Sequence, residues 1–175
     1  MVEANLDIRT VGRTKEPSKR QIAKWDKIKP TISQVDWNLF LSGFPDEEMF
    51  DQLRIFGIRS VISCTLTPPP DLIGVGSIRY VLRVPFEDDV GNLPDKETME
   101  LAVIAALDKL EQDERVLIHC MYGLNRSALV AGTVMAARHP EMLGADIVKQ
   151  IKERRSGALH NPLYSYAVSQ LNPVD

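Results

Sequence analysis

The chain has 175 residues, of which 44% are apolar and 26% charged, with a formal net charge of −3. That is enough for one domain with a real core, and the small net charge excludes a bulk attraction to nucleic acid or membrane. Two cysteines, Cys64 and Cys120, make neither a disulfide framework nor a zinc set. The N-terminus is polar, without the apolar segment of a signal peptide. The longest apolar run, about ten residues, is too short to span a bilayer. A cytoplasmic protein whose thiols stay reduced is the expectation. The charge is uneven. Residues 1–30 carry eight basic and four acidic side chains, a balance of +4 that leaves −7 for the remainder. Residues 1–29 are therefore expected to form a polar, basic extension, and residues 30–175 the folded domain.

Within that extension, Gln21 to Trp25 suggests a helical turn, and Pro30 marks a boundary because it disfavours helix in the residue before it. Ile32–Val35 and Leu39–Leu41 predict two short strands about the turn Asp36-Trp37-Asn38. After the break at Ser42-Gly43-Phe44-Pro45, the spacing of Met49, Phe50, Leu53 and Phe56 predicts a helix over Asp46–Phe56, capped by Gly57. Ile58–Cys64 predicts a strand, Thr65–Ser77 a Pro- and Gly-rich loop, and Ile78–Val84 another strand. An acidic loop, Pro85 to Asn92, precedes a helix opened by Pro94 and running to about Leu110. In it Met99, Val103, Ala106, Leu107 and Leu110 recur at core spacing. Val116–His119 predicts a buried strand, Ala128–Arg138 a largely buried helix, Glu141–Arg154 a further helix, and Leu163–Leu171 the last, after Pro162. Alternating strands and helices predict an α/β fold: a mostly parallel sheet of about five strands, mixed because of the initial hairpin, with helices on both faces. Ligands bind such sheets beyond the carboxyl ends of the strands. Cys120, Cys64 and the loop after Val84 all fall there.

One stretch carries chemistry: HCMYGLNRS, from His119 to Ser127. A strand ends in His-Cys, a loop with a glycine follows, and a helix begins at the arginine. Successive backbone N–H groups in such a loop point inward, and the helix N-terminus adds partial positive charge. Arg126 supplies a planar fork for two phosphate oxygens. A thiol at the centre of that field ionises more readily than a free one, so Cys120 is expected to be a nucleophile aimed at phosphorus. Met121, Tyr122, Gly123, Leu124, Asn125 and Arg126 would form the phosphate cradle. His119, behind the loop, is expected to hydrogen-bond its backbone. Ser127 reads equally as a helix cap or as a donor to the sulfur.

This stretch resembles the phosphate loop of the cysteine-dependent protein tyrosine phosphatase superfamily. From residue 30 onward the chain is similar to its dual-specificity branch, through Leu39-Phe40-Leu41-Ser42-Gly43, Gly57-Ile58, and the closing Arg155, Leu159, Asn161-Pro162 and Tyr166. The resemblance implies a protein tyrosine phosphatase-like fold and a phosphocysteine intermediate. It also implies a phosphorylated protein substrate bearing phosphotyrosine and phosphoserine or phosphothreonine, with no cofactor and no metal. A carboxylic acid on a facing loop would protonate the leaving oxygen. Among Glu87, Asp88 and Asp89, the resemblance favours Asp88, 32 residues before Cys120, with Asp89 its rival. In some members of the superfamily a cysteine placed like Cys64 protects the nucleophile as a redox partner.

Asn125 stands where many dual-specificity enzymes have Ser and is shared with related RNA 5′-triphosphatases. An RNA phosphatase, with nucleic acid as its partner, is therefore the alternative, although Met121-Tyr122 and Arg126-Ser127-Ala128 depart from that group. Met121, Tyr122 and Leu124 are not basic, which disfavours inositol phosphates. A non-catalytic phosphoprotein-binding module is the second alternative, and such modules usually lack the cysteine, the arginine or the acid. His139 and His160 are assigned no role.

Overall fold

A computed structural model of the protein describes residues 32–173. The expected basic extension, the turn at Gln21 to Trp25 and the boundary at Pro30 lie outside the described residues. Among the described residues eleven elements follow one another, ten helices and strands and one 3-10 turn. Strands β1 (Ile32–Asp36) and β2 (Leu39–Ser42) lead into a 3-10 turn (Glu47–Met49) and helix α1 (Phe50–Phe56). Strands β3 (Ser60–Ser63) and β4 (Tyr80–Arg83) come next, then α2 (Lys96–Glu111) and β5 (Val116–His119). Helices α3 (Arg126–Arg138), α4 (Gly144–Arg154) and α5 (Pro162–Ser169) close the fold. The strand order is β1-β2-β5-β3-β4. The β1–β2 hairpin is antiparallel and every other pairing is parallel, so the sheet is mixed as its hairpin requires.

Strand side chains alternate between faces, and the two cores follow that alternation. Leu39 and Leu41 of β2, Ile62 of β3, and Val116 and Ile118 of β5 pack with α2 to α5 in the larger core. Phe40, Val61 and Leu117 point the other way, onto α1. Each such side chain, fully buried, stabilises the fold by about 1.5–3 kcal/mol. The same alternation carries Cys64 and Cys120, one residue past their strands, to the larger core, whereas His119 faces the other side. No helix among the described residues is long and apolar enough to cross a membrane.

Several element ends differ from expectation for local reasons. The predicted helix from Asp46 begins as a 3-10 turn, with the Asp46 carboxylate accepting the Met49 N–H at 3.1 Å, and turns α-helical only at Phe50. Gly57 caps it in the left-handed region (φ 63°), as predicted. Pro94 does not open α2; Asp95 caps it, accepting the Thr98 N–H at 2.9 Å. Helix α4 starts at Gly144 rather than Glu141, because Gly144 is pressed against the end of α5. Its N–H donates to the Leu171 carbonyl at 2.9 Å, and an added Cβ would sit 2.2 Å from the Val168 oxygen. Pro162 is the first residue of α5, which ends at Ser169.

Candidate active site

The loop from Cys120 to Asn125 joins β5 to α3, and its shape follows from what holds its carbonyls. Phe44 N–H donates to the Met121 oxygen at 2.9 Å. Arg155 donates from Nη2 to the Tyr122 oxygen at 3.1 Å and from Nε to the Gly123 oxygen at 2.6 Å. Leu159 N–H donates to the Leu124 oxygen at 2.7 Å. Four successive carbonyls are thus held from outside the loop. In trans peptides the next N–H points opposite to each carbonyl, so the N–H groups of Tyr122, Gly123, Leu124 and Asn125 turn inward. That is an anion cradle built from backbone. Gly123 makes it possible: its φ is 69°, and a Cβ there would lie 2.3 Å from the Ser42 carbonyl carbon.

Cys120 lies at the base of the cradle, 3% exposed. Its sulfur is 3.3 Å from Ser127 Oγ. Burial alone would push this thiol up. Hydrogen bonds from the Ser127 hydroxyl and N–H, the Arg126 charge and the Gly123 N–H outweigh it, and the pKa falls below the ordinary thiol value. Ser127 therefore stands against the sulfur, and the α3 cap position belongs to Asn125, which makes no side-chain cap bond. Cys64 is the opposite case: burial and the neighbouring Cys120 charge drive its thiol well above the ordinary range.

Arg126 is anchored by one Nη, which donates to the carbonyls of Cys64 (3.2 Å) and Phe86 (3.0 Å). Its Nε is buried and has no partner among the described residues, a donor of the kind a phosphate oxygen satisfies. His119 departs from expectation. Neither ring nitrogen makes a hydrogen bond among the described residues. The ring packs edge-on against Phe44, with centroids 6.1 Å apart. Burial lowers its pKa to about 4, against a smaller opposing effect of the Cys120 backbone, so the imidazole is neutral at pH 7.

Across from the loop, the acidic stretch separates its carboxylates. Both Asp88 oxygens accept amide donors at 2.8 Å, Oδ2 from Asn125 Nδ2 and Oδ1 from Asn161 Nδ2. Asp89 is tied into its own turn by Asn92 Nδ2 (2.9 Å) and the Gly91 N–H (2.7 Å), which hold its carboxyl below the usual range. The Tyr164 hydroxyl donates to the Glu87 carbonyl at 2.9 Å and fixes the stretch from beneath. The side chain of Asn125 therefore leaves the cradle for Asp88, while Met121 and Tyr122 are exposed. Beside the loop an open groove of about 780 Å³ runs past Phe44, Asp46, Glu48, Tyr122 and Arg154.

The residues that sequence reasoning passed over are holders rather than reactants. Asn161 before Pro162 is readable as a helix cap, and it does cap α5, accepting the Leu163 N–H at 3.0 Å. Its amide bond to Asp88 leaves no trace in sequence. His160, 3.0 Å from Asn125, carries no sequence signal. His139 lies elsewhere, pairing with Asp36 beside Arg138.

Residues 39–172 match the family described as dual specificity phosphatase, catalytic domain. Among solved structures, the fold is similar to human DUSP28, at 24% identity over 82% of this chain and 93% of that one, with a TM-score of 0.66. It is similar to Tk-PTP in the active form, at 20% identity over 83% and 98% of the two chains, with a TM-score of 0.69. It is also similar to the core catalytic domain of the PP-IP phosphatase SIW14 from S. cerevisiae, at 19% identity over 79% and 83%, with a TM-score of 0.62.

Proposed function

This chain belongs to the dual specificity phosphatase family, whose catalytic domain spans residues 39–172, and from that membership we propose that it hydrolyses phosphoproteins through a phosphocysteine. Its substrates would carry phosphotyrosine and phosphoserine or phosphothreonine. The observation that carries the reading is the Cys120 sulfur, its pKa lowered, at the base of a cradle of inward N–H groups. The Cys120 thiolate attacks phosphorus and a P–S bond forms as the P–O bond to the substrate breaks. Arg126 and the loop N–H groups hold the equatorial oxygens where charge accumulates. Asp88 gives its proton to the departing oxygen. Water then attacks phosphorus and surrenders a proton to Asp88, while sulfur leaves as a thiolate eased by the Ser127 hydroxyl 3.3 Å away. Residues 30–175 would constitute the catalytic domain, with residues 1–29 an extension to it.

Two observations favour a protein substrate. Met121, Tyr122 and Leu124 bring no basic side chain to the cradle, and an open groove of about 780 Å³ lies beside it, past Tyr122 and Asp46. The test is a metal-free turnover assay on four substrates: a phosphotyrosine peptide, a phosphothreonine peptide, a 5′-triphosphate RNA and a pyrophosphorylated inositol phosphate. Preference for the peptides supports the reading. Faster turnover of the RNA or the inositol phosphate replaces it with that substrate class. Binding without turnover of any of the four makes the protein a phosphate-binding module.

A further inference from the structure

Asn125, between the cradle and the acidic loop, spends its whole side chain on three partners. Nδ2 donates to Asp88 Oδ2 at 2.8 Å and lies 3.0 Å from His160 Nε2, while Oδ1 accepts the Asn161 N–H at 3.0 Å. The orientation of this amide is dictated by its neighbours. Turned over, it would set oxygen against the Asp88 carboxylate and nitrogen against the Asn161 N–H. An amide nitrogen cannot accept, so its contact with His160 is a hydrogen bond only when Nε2 carries the lone pair. The other ring nitrogen, Nδ1, lies 3.1 Å from the Gly157 carbonyl, which can only accept. The partners therefore call for an acceptor at His160 Nε2 and a donor at Nδ1.

The order of the contacts matters. Gly157 holds His160, His160 holds one hydrogen of Asn125, and the other hydrogen of Asn125 points at the carboxylate. We propose that His160 is a positioning residue for Asp88, acting through Asn125. The proposal rests on the reading of Asp88 as the proton donor. Without an acceptor at Nε2, one hydrogen of Asn125 Nδ2 loses its partner, the amide is free to turn, and Asp88 loses one of its two amide contacts. Asn161 keeps the other, so the acid is loosened rather than lost.

The experiment measures kcat and KM for an activated aryl phosphate and for an alkyl phosphate or phosphothreonine peptide, from pH 5 to 8. His160→Ala should lower kcat for the poor leaving group by roughly 10-fold, a fraction of the 10²–10⁴ that a general acid supplies, with the activated ester and both KM values little changed. His160→Gln sets an amide oxygen near the Nε2 position, accepts there, and should restore the poor-leaving-group rate. Equal losses on both esters, an effect confined to KM, or Gln no better than Ala would overturn the proposal. Asp88→Asn serves as the reference. If it lacks leaving-group dependence, the assignment of the acid falls and this proposal with it. If it has that dependence and His160→Ala does not, the positioning role alone falls.

Discussion

The carboxyl ends of β3 and β5 lie side by side, in register from Ser63 opposite His119. Each continues into a cysteine on the same face, and both cysteines are buried. Their thiols nevertheless move in opposite directions, Cys120 down and Cys64 up. Burial raises both, so the difference comes from what each strand runs into. After β5 the chain turns back through Gly123 and starts α3, bringing the Ser127 hydroxyl and N–H to the sulfur. After β3 it runs into Thr65, whose hydroxyl turns to the Ser63 hydroxyl (3.0 Å) and the Thr67 carbonyl (2.7 Å). No donor reaches the Cys64 sulfur among the described residues. Arg126 does not make the difference: its charge lowers both thiols, and it uses the Cys64 carbonyl as an anchor. Depth alone does not make a thiol reactive; oriented donors against that depth do.

The largest expected effect breaks this comparison outright. Cys120→Ser should abolish turnover yet keep phosphate-ester binding, because the amide cradle and Arg126 are untouched. Cys64→Ser, near isosteric, should leave turnover close to wild type. Rates that fall alike in the two variants would mean that the strand ends share one role. The next effect tests the acidic stretch that Asn125 and Asn161 hold. Asp88→Asn should slow cleavage of poor leaving groups by roughly 10²–10⁴-fold and activated aryl esters less. A larger loss from Asp89→Asn would move the acid one residue along.

These residues were unequally legible in the sequence. A strand ending in Cys120, a glycine and a helix opening at Arg126 are consecutive, so their geometry is local and could be read directly. The sheet followed from the alternation of Leu39-Phe40-Leu41 and Val116-Leu117-Ile118. The surroundings of Glu87, Asp88 and Asp89 were not legible from the residues themselves, and only the resemblance favoured Asp88, because the Asn125 and Asn161 amides that hold its carboxylate lie 37 and 73 positions away. For the same reason His119 was expected to bond the loop backbone. Strand alternation sends it to the opposite face, against Phe44, and the loop carbonyls are held instead by Arg155, Phe44 and Leu159. The late start of α4 depends on contact between Gly144 and α5, which local periodicity does not carry.

A smaller effect separates the two thiols by pH. Because the Cys120 pKa is depressed, its thiolate persists below the ordinary thiol range, about 8.5, and is lost only as pH falls through the lowered value. Iodoacetamide should therefore label Cys120 at a pH where Cys64 stays inert until the protein unfolds. Ser127→Ala removes a donor to the sulfur, so the labelling profile and the acid limb of activity should both move to higher pH. Release of the phosphate from sulfur should slow by roughly 10-fold, the worth of one hydrogen bond to a charged group. Rapid mixing would then show a larger burst of released alcohol. An unchanged labelling profile would reduce Ser127 to packing.

The smallest effect on the basal rate is the one that asks what Cys64 is for. Adjacent strands lie about 4.7–4.9 Å apart, inside the roughly 4.4–6.8 Å between Cα atoms that a disulfide accepts. The Cys64 N–H donates to the His119 carbonyl at 2.9 Å, so the pairing persists to the cysteines themselves. Peroxide oxidises the more ionised thiol first: Cys120 takes an oxygen to become a sulfenic acid, and hydroxide leaves. The Cys64 thiol would then attack that sulfur, forming an S–S bond as water departs, which would halt the ladder before its irreversible steps. The high pKa of Cys64 makes it a slow attacker, and adjacency compensates, since an intramolecular partner needs no encounter. After peroxide followed by reductant, wild type should regain its activity, and a Cys64–Cys120 peptide should appear by mass spectrometry before the reductant is added. Cys64→Ser, indistinguishable beforehand, should remain inactive. Equal recovery with no cross-linked peptide would leave Cys64 a core side chain, and the two strand ends would then differ in chemistry without cooperating in it.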